Sequence, residues 1–144
     1  MQNLKYAFFV LLLFCYSSKA QEVSFVHRSD SGLVVDEKLF YSFGVNCYYL
    51  QNLAAHGDTD KVKEVFNEAK RLGANTIRTW GFFDSSDSTN PAVIQYAPGK
   101  FNENGLRALD FVIAQAGKDS IRLIIPLVNN WDDYGGMNQY VSWY

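Results

Sequence analysis

Residues 56–83, "HGDTDKVKEVFNEAKRLGANTIRTWGFF", read as an amphipathic helix followed directly by a β-strand. Asp58 or Thr59 can cap the amino end of the helix, and Gly73 lies where a left-handed residue ends a helix. The segment "NTIRTWGFF" is rich in β-branched and aromatic residues, which favour extended structure. The apolar face of the predicted helix is formed by residues at helical spacing: Val62, Val65, Phe66, Ala69 and Leu72.

The alternation of strand and helix continues on both sides of this stretch. Upstream, Phe43–Asn46 predicts a short strand. Downstream, "NENGLRALDFVIAQAGKDS" (102–120) predicts a second helix with Asn102 as its cap, and "IRLIIPLV" (121–128) predicts a strand buried on both faces. The residues expected to point inward from the second helix are Leu106, Leu109, Ile113 and Ala116. This order of elements indicates parallel βαβ units.

Two other segments are rich in turn-forming residues. Ser29–Gly32 separates Phe25–His27 from Leu33–Val35, a pattern that predicts a β-hairpin. Residues 84–100, "DSSDSTNPAVIQYAPGK", predict a long polar loop punctuated by Pro91 and by Pro98-Gly99.

The number of predicted strands is small for a complete α/β fold. An eight-unit barrel takes ~250 residues, roughly 30 per unit, so the alternation accounts for about three units. Three parallel strands alone would leave two exposed edges, which promote aggregation. An open, flavodoxin-like sheet would also need more strands, and no glycine-rich phosphate loop follows the first strand. We therefore expect residues 21–144 to form the first part of a larger domain.

The first 20 residues have the pattern of a secretory signal peptide. Lys5 precedes an apolar run from Tyr6 to Tyr16, and Ser18-Lys19-Ala20 supplies a small-x-small cleavage site. The run is about half the ~20 residues needed to span a bilayer, so a membrane anchor is disfavoured. We expect cleavage after Ala20, and hence a secreted, extracellular protein without membrane attachment.

Composition excludes several other classes of function. The chain has 144 residues, of which 48% are hydrophobic and 19% charged, which indicates a packed core. A net charge of -2 without a basic stripe argues against nucleic-acid binding. Once Cys15 leaves with the signal peptide, Cys47 has no partner for an intrachain disulfide and is expected to be a small buried hydrophobe. His27 and His56 lack metal-ligand spacing and are expected at the surface.

Polar and aromatic residues follow each of the three predicted parallel strands. In parallel α/β folds the carboxyl ends of the strands form the ligand-binding edge. Amides and guanidinium groups hydrogen-bond hydroxyl groups, and indole rings stack on pyranose rings, so this edge is typical of a carbohydrate cleft. The candidate binding residues at the three strand ends are Asn46, Tyr48, Arg78, Trp80, Asn130 and Trp131.

Each of these residues also has a purely structural interpretation. Arg78 could form an interior salt bridge, since charges inside a fold are nearly always paired. Trp80 could pack within a loop, and Asn129 and Asn130 could satisfy turn backbone. The adjacent Asp132 and Asp133 point different ways and favour a solvated turn over a catalytic pair.

Four segments together resemble a known family in order and spacing. They are "FGVNCYYL" (43–50), "GANTIRTWGFFD" (73–84), "PGKFNENGLRALDFVIAQA" (98–116) and "IRLIIPLVNNWDDYGGMNQYVSW" (121–143). They resemble the start of the endo-β-1,4-mannanase branch of glycoside hydrolase family 5, over about Phe25 to Trp143. The resemblance implies a (β/α)₈ TIM barrel, monomeric at full length, that hydrolyses internal bonds of β-mannan with retention of configuration. Residues 21–144 would then be the N-terminal part of its catalytic domain.

The family mechanism uses two glutamates about 5 Å apart and needs no metal or organic cofactor. In the family, the acid/base lies in an Asn-Glu-Pro motif after the fourth strand and the nucleophile follows the seventh. Neither position lies in this chain, so no catalytic residue is assigned. The glutamates that are present do not follow a strand at the binding edge: Glu22, Glu37, Glu64, Glu68 and Glu103.

The resemblance does assign supporting roles. Arg78 matches the arginine that keeps the nucleophile ionised and oriented, because an opposite charge lowers a carboxylate's pKa. Trp80, Asn130 and Trp131 match glycone-side sugar contacts, and Asn46 and Tyr48 are further candidates. A β-glucanase of the same family remains an alternative specificity, and a non-catalytic secreted carbohydrate-binding or truncated product remains an alternative function.

Overall fold

The computed structural model describes residues 24–144, which divide into two compact units, one ending at Tyr41 and one spanning Ser42–Tyr144. The signal peptide predicted for residues 1–20 lies outside the described residues. Within residues 24–144, no helix has both the length and the apolar character that crossing a bilayer requires.

The first unit contains an antiparallel meander of three short strands, β1 (His27–Ser29), β2 (Gly32–Val35) and β3 (Lys38–Leu39). The predicted hairpin is thus confirmed as β1 and β2. The third strand was not predicted, because its turn carries Asp36 and Glu37 where such turns favour Asn-Gly. Both residues have positive φ, 49° and 60°, as a two-residue hairpin turn of this type requires.

The second unit is built on a parallel sheet of β4 (Gly44–Asn46), β5 (Thr76–Arg78) and β8 (Arg122–Ile124), in that spatial order. Val45, Ile77 and Leu123 lie side by side in the register. The other elements of the unit are α1 (Leu50–Ala55), α2 (Thr59–Arg71), β6 (Gln95–Ala97), β7 (Lys100–Phe101), α3 (Glu103–Asp119) and α4 (Gly136–Trp143). The predicted strand–helix alternation is confirmed, while the short helices α1 and α4 were not predicted.

Helix α2 forms where the apolar spacing predicts it. Val62, Phe66 and Ala69 are buried in the core, whereas Leu72 lies at the carboxyl cap and is 66% exposed. The Asp58 side chain makes no capping bond, because its carboxylate pairs with Lys61 at 2.8 Å. The burial of one face, and not the cap, therefore stabilises this helix.

Helix α3 presents a different face to the core from the one predicted. The buried positions are Gly105, Ala108, Val112 and Ala116, and of the predicted set only Ala116 is among them. Small residues allow close packing here, because a Cβ at Gly105 would collide with the carbonyl of Val93. The Gln51 side chain of α1 also donates to the carbonyl of Gly105, at 3.1 Å. The large side chains on the neighbouring face, including Ile113, are more exposed.

The amino end of α3 is as predicted. Asn102 is the cap, and its side-chain oxygen accepts from the Asn104 amide at 3.0 Å. The segment before it is more ordered than the predicted polar loop. It contains the β6–β7 hairpin, turning at Gly99 (φ 67°), and it buries Ala92, Val93 and Ile94.

Strand β8 is shorter and less covered than the apolar run predicts. It ends at Ile124, and within the described residues it pairs with β5 alone. Ile124, Leu127 and Val128 are 52%, 73% and 62% exposed, so the expectation of burial on both faces is wrong for residues 24–144. Among the described residues, no strand pairs with the second edge of β8, and Leu127 and Val128 lie beyond the end of the strand.

Candidate functional site

The carboxyl ends of the three parallel strands remain together after the strands end. The Thr79 amide donates to the Ile124 carbonyl at 3.1 Å, and the Gly81 amide donates to the Pro126 carbonyl at 3.1 Å. On the other side, the Trp80 amide donates to the Tyr48 carbonyl at 3.4 Å. The segments that carry the predicted binding residues are therefore held side by side at one edge of the sheet.

Arg78 and Asn46 lie opposite each other in the register of β4 and β5. The Arg78 Nη1 atom donates to Asn46 Oδ1 at 3.2 Å, and both side chains are exposed. The ion pairs within the described residues do not include Arg78, so the interior salt bridge considered above is not found there. A guanidinium has five N–H donors, and this one bond leaves donors for an anionic or hydroxyl group.

Four aromatic rings, those of Tyr48, Trp80, Phe82 and Tyr134, form a cluster at the carboxyl ends of the strands. The Trp80 ring centroid lies 4.9 Å from Tyr48, 5.0 Å from Phe82 and 4.8 Å from Tyr134. The indole Nε1 of Trp80 is buried and has no hydrogen-bond partner among the described residues. Trp80 is thus half-buried and packs against three other rings, and its predicted role as a sugar contact stays a prediction.

Trp131 is the most exposed of the aromatic residues predicted at this edge, at 74% against 42% for Tyr48. Asn129 holds its loop in place: the Asn129 Nδ2 donates to the carbonyls of Trp131 (3.1 Å) and Asp133 (2.8 Å), and its Oδ1 accepts from the Trp131 amide at 3.2 Å. Asn129 therefore satisfies backbone groups of its own turn, as the structural interpretation of this residue predicted. Asn130 is exposed next to Trp131 and is available to a ligand.

Tyr134 is the residue of this edge that sequence reasoning missed. It has φ 62°, and its ring packs on Trp80 and, at 4.7 Å, on Phe83. The adjacent Gly135 backs directly onto Asp84, where a Cβ would collide with the Asp84 backbone. The available signal was the glycine pair after Tyr134, since a glycine there marks a close approach of two backbone segments.

Asp84 is a buried carboxyl group beneath the edge. It is 4% exposed, and its Oδ2 atom has no hydrogen-bond partner among the described residues. Burial raises the pKa of Asp84 above its ordinary 3.8, while a hydrogen bond from the Tyr140 hydroxyl opposes that rise. Asp84 borders a polar cleft of about 430 Å³ that Asp132 and Asn138 also line.

The glutamates of the described residues lie away from this edge. Glu37 is in the β2–β3 turn, Glu64 and Glu68 are on α2, and Glu103 is in the first turn of α3. Glu22 lies outside the described residues. Within residues 24–144, no three His, Cys, Asp or Glu side chains are grouped so that they could hold a metal ion.

Cys47 and the two histidines are placed as predicted. Cys47 is buried in the core cluster, and burial raises the pKa of its thiol, an effect that a hydrogen bond with Tyr49 opposes. His27 and His56 are exposed. None of the three contributes a reactive group to the edge.

Comparison with protein families assigns the class of the chain. Residues 23–144 match the family model of glycoside hydrolase family 5, β-mannosidase-like. The chain belongs to this family, and within it to the mannanase branch. It is 45% identical over 120 residues to a putative mannan endo-1,4-beta-mannosidase 4 of Arabidopsis thaliana, and 38% identical over 134 residues to mannan endo-1,4-beta-mannosidase 3 of Solanum lycopersicum. These alignments cover 83% and 92% of this chain but 29% and 32% of the two relatives.

Solved structures agree with this assignment. The endo-1,4-beta-mannanase from Rhizomucor miehei matches with a TM-score of 0.71 and 39% identity, over 83% of this chain and 34% of that enzyme. The endo-beta-1,4-mannanase from Thermotoga petrophila matches with a TM-score of 0.65 and 37% identity, over 74% of this chain and 24% of that enzyme. The fold is thus the N-terminal portion of a TIM barrel, and the chain spans between 24% and 34% of the length of these four relatives.

Proposed function

We propose that the protein containing this chain hydrolyses internal β-1,4-mannosidic bonds of mannan, glucomannan or galactomannan. The observation that carries the proposal is that the Arg78–Asn46 pair, the exposed Tyr48 and the exposed Trp131 all follow or end parallel strands at the same edge of the sheet. Such an edge combines hydrogen-bond donors for hydroxyl groups with apolar faces for sugar rings. Relatives named as mannan endo-1,4-β-mannosidases support mannan as the polymer.

The proposed mechanism is retaining hydrolysis by two glutamates that lie outside these 144 residues. Arg78 would hold the nucleophilic glutamate ionised, because a guanidinium in hydrogen-bond reach lowers a carboxylate's pKa. Trp131 would stack on a sugar unit away from the cleaved bond, and Asn130 and Asn46 would bond hydroxyl groups. The two carboxyl groups would be about 5 Å apart, as the covalent intermediate of a retaining enzyme requires.

The decisive experiment has two parts. Sequencing the natural transcript past the codon for Tyr144 should reveal an open frame with an Asn-Glu-Pro motif and a later glutamate. The protein expressed from that transcript should cleave mannan internally and should release products of retained configuration. A stop codon directly after Tyr144, or preferential cleavage of a β-1,4-glucan, would contradict the proposal.

We also propose that the protein is secreted as a monomer after cleavage at Ala20. The charged, apolar and small-residue segments of residues 1–20 support this processing. Amino-terminal sequencing of the secreted protein should begin at Gln21, and light scattering should give the monomer mass. Retention of residues 1–20 in the mature protein would contradict it.

A further inference from the structure

The loop after β8 presents an exposed ring on an ordered backbone. This loop consists of residues 125–135, between β8 and α4. Trp131 is 74% exposed, yet its backbone amide and its carbonyl both take part in hydrogen bonds. Leaving an indole in water forgoes the free energy of burial, and ordering a loop costs conformational entropy. A ring held in this way favours binding, because a loop that is ordered beforehand lowers the entropic cost of association.

The side chain of Asn129 fixes the backbone of Trp131 on both of its peptide groups. Asn129 Oδ1 accepts from the Trp131 amide at 3.2 Å, and Asn129 Nδ2 donates to the Trp131 carbonyl at 3.1 Å. Nδ2 also donates to the Asp133 carbonyl at 2.8 Å. An amide side chain can donate and accept at once, whereas an ionised carboxylate of the same size only accepts. The residue type at position 129 therefore matters for all three bonds.

The far end of the loop is held without Asn129. The Tyr134 carbonyl accepts from the Asp84 amide at 2.9 Å, and the Gly135 amide donates to the Asp132 carbonyl at 3.1 Å. Loss of the Asn129 bonds should therefore free the backbone around Trp131 while the end of the loop stays attached.

We propose that Asn129 is a positioning residue, which holds Trp131 in place for a sugar unit remote from the cleaved bond. The inference rests on the proposed function, in which Trp131 stacks on such a sugar. It makes Asn129 a determinant of substrate length, since a substrate too short to reach Trp131 gains nothing from the ordered ring. Asn129 itself contacts no sugar and acts through the ring alone.

The kinetic test uses Asn129→Ala and Asn129→Asp in the protein expressed from the complete transcript. The first removes all three bonds, and the second removes both donors without a change in size. Each should raise KM for long manno-oligosaccharides by roughly 3- to 10-fold, as expected for one or more lost hydrogen bonds. The increase should not exceed that of Trp131→Ala. Neither variant should change kcat, or KM for substrates too short to reach the ring.

A double-mutant cycle separates positioning from general support of the fold. In a Trp131→Ala background, Asn129→Ala should change KM little further, because the ring through which Asn129 acts is gone. Asn67→Ala is the matched control, since it makes the same change at an exposed position of α2, and it should keep the wild-type constants. The proposal is overturned if Asn129→Ala raises KM equally in both backgrounds, or if it lowers kcat alike for short and long substrates.

Amide hydrogen exchange, measured on the same proteins without substrate, tests the ordering of Trp131 independently of turnover. In Asn129→Ala, exchange of the Trp131 amide should accelerate by up to about tenfold, as expected when its acceptor is lost. The Asp84 amide, bonded at the far end of the loop, should keep its wild-type rate. An unchanged rate at Trp131 would overturn the proposal. If the wild type does not hydrolyse mannan, the proposed function fails, and the exchange rates still decide whether Asn129 holds Trp131.

Discussion

At the scale of single residues, Arg78 presents its guanidinium at the sheet edge with Asn46 as its hydrogen-bond partner. We expect Arg78→Gln to lower kcat/KM on mannan by about 10²–10³, the range seen when one transition-state donor is removed. The acidic limb of the pH–activity profile should shift to higher pH, because the nucleophile loses the charge that lowers its pKa.

Arg107→Gln provides the control for this change, since Arg107 is an exposed residue of α3. It should leave both kcat/KM and the pH profile unchanged. Equal losses in the two variants would mean that Arg78 acts only through the total charge of the protein.

Trp131 is the other residue whose exposure suggests a direct role. Trp131→Ala should raise KM for long manno-oligosaccharides by roughly 3- to 10-fold, as expected from ring contacts of about 0.5–1.5 kcal/mol. Trp131→Phe keeps a ring and should retain most of the affinity. If short and long substrates lose affinity equally, Trp131 does not contact a sugar remote from the cleaved bond.

At the scale of elements, the packing of α3 depends on small residues at its buried face. Gly105→Ala would place a methyl group against the Val93 carbonyl and should destabilise the protein by about 1–3 kcal/mol, as overpacking does. Gly117 on the same helix has open space around it, so Gly117→Ala should stabilise by up to about 1 kcal/mol.

Urea unfolding of the intact protein measures both effects in one pair of variants. The two expected changes in the free energy of unfolding have opposite signs, although the substitutions are chemically identical and lie on one helix. The difference therefore reports the space around each glycine. Similar unfolding free energies for the two variants would show that the close contact at Gly105 relaxes at little cost.

At the scale of the whole molecule, both edges of the parallel sheet and their apolar flanks are uncovered within the described residues. Beside β4, an apolar groove of about 670 Å³ is lined by Val45, Leu53, Val65 and Leu72 among others. Beside β8, Ile124, Leu127 and Val128 are exposed. Exposed edges and apolar patches of this kind promote association.

We therefore expect purified residues 21–144 to aggregate or to bind a hydrophobic dye, to unfold without a cooperative transition, and to show no turnover of mannan. The protein from the complete natural transcript, prepared in the same way, is the control and should unfold cooperatively. Robust hydrolysis of mannan by residues 21–144 alone would contradict the assignment of both catalytic glutamates to positions outside them.

The order and type of the main elements can be predicted from the amino-acid sequence alone. Periodicity predicted α2 and α3, the Asn102 cap and the three parallel strands, because these depend on spacing and local backbone preferences. It also placed Asn46, Arg78 and Trp131 at strand ends, since the edge follows from the alternation of strands and helices.

Which faces these elements bury, and which side chains they contact, depends on the three-dimensional fold. In the fold, the buried face of α3 contains Gly105 and Ala108, because close packing against residues 92–94 favours small side chains over the largest apolar ones. The ring of Trp80 packs against the ring of Tyr134. The Asp84 amide donates to the Tyr134 carbonyl, although the two residues are 50 positions apart in the sequence. Contacts of this kind depend on the geometry of distant segments, which neither spacing nor residue type encodes locally.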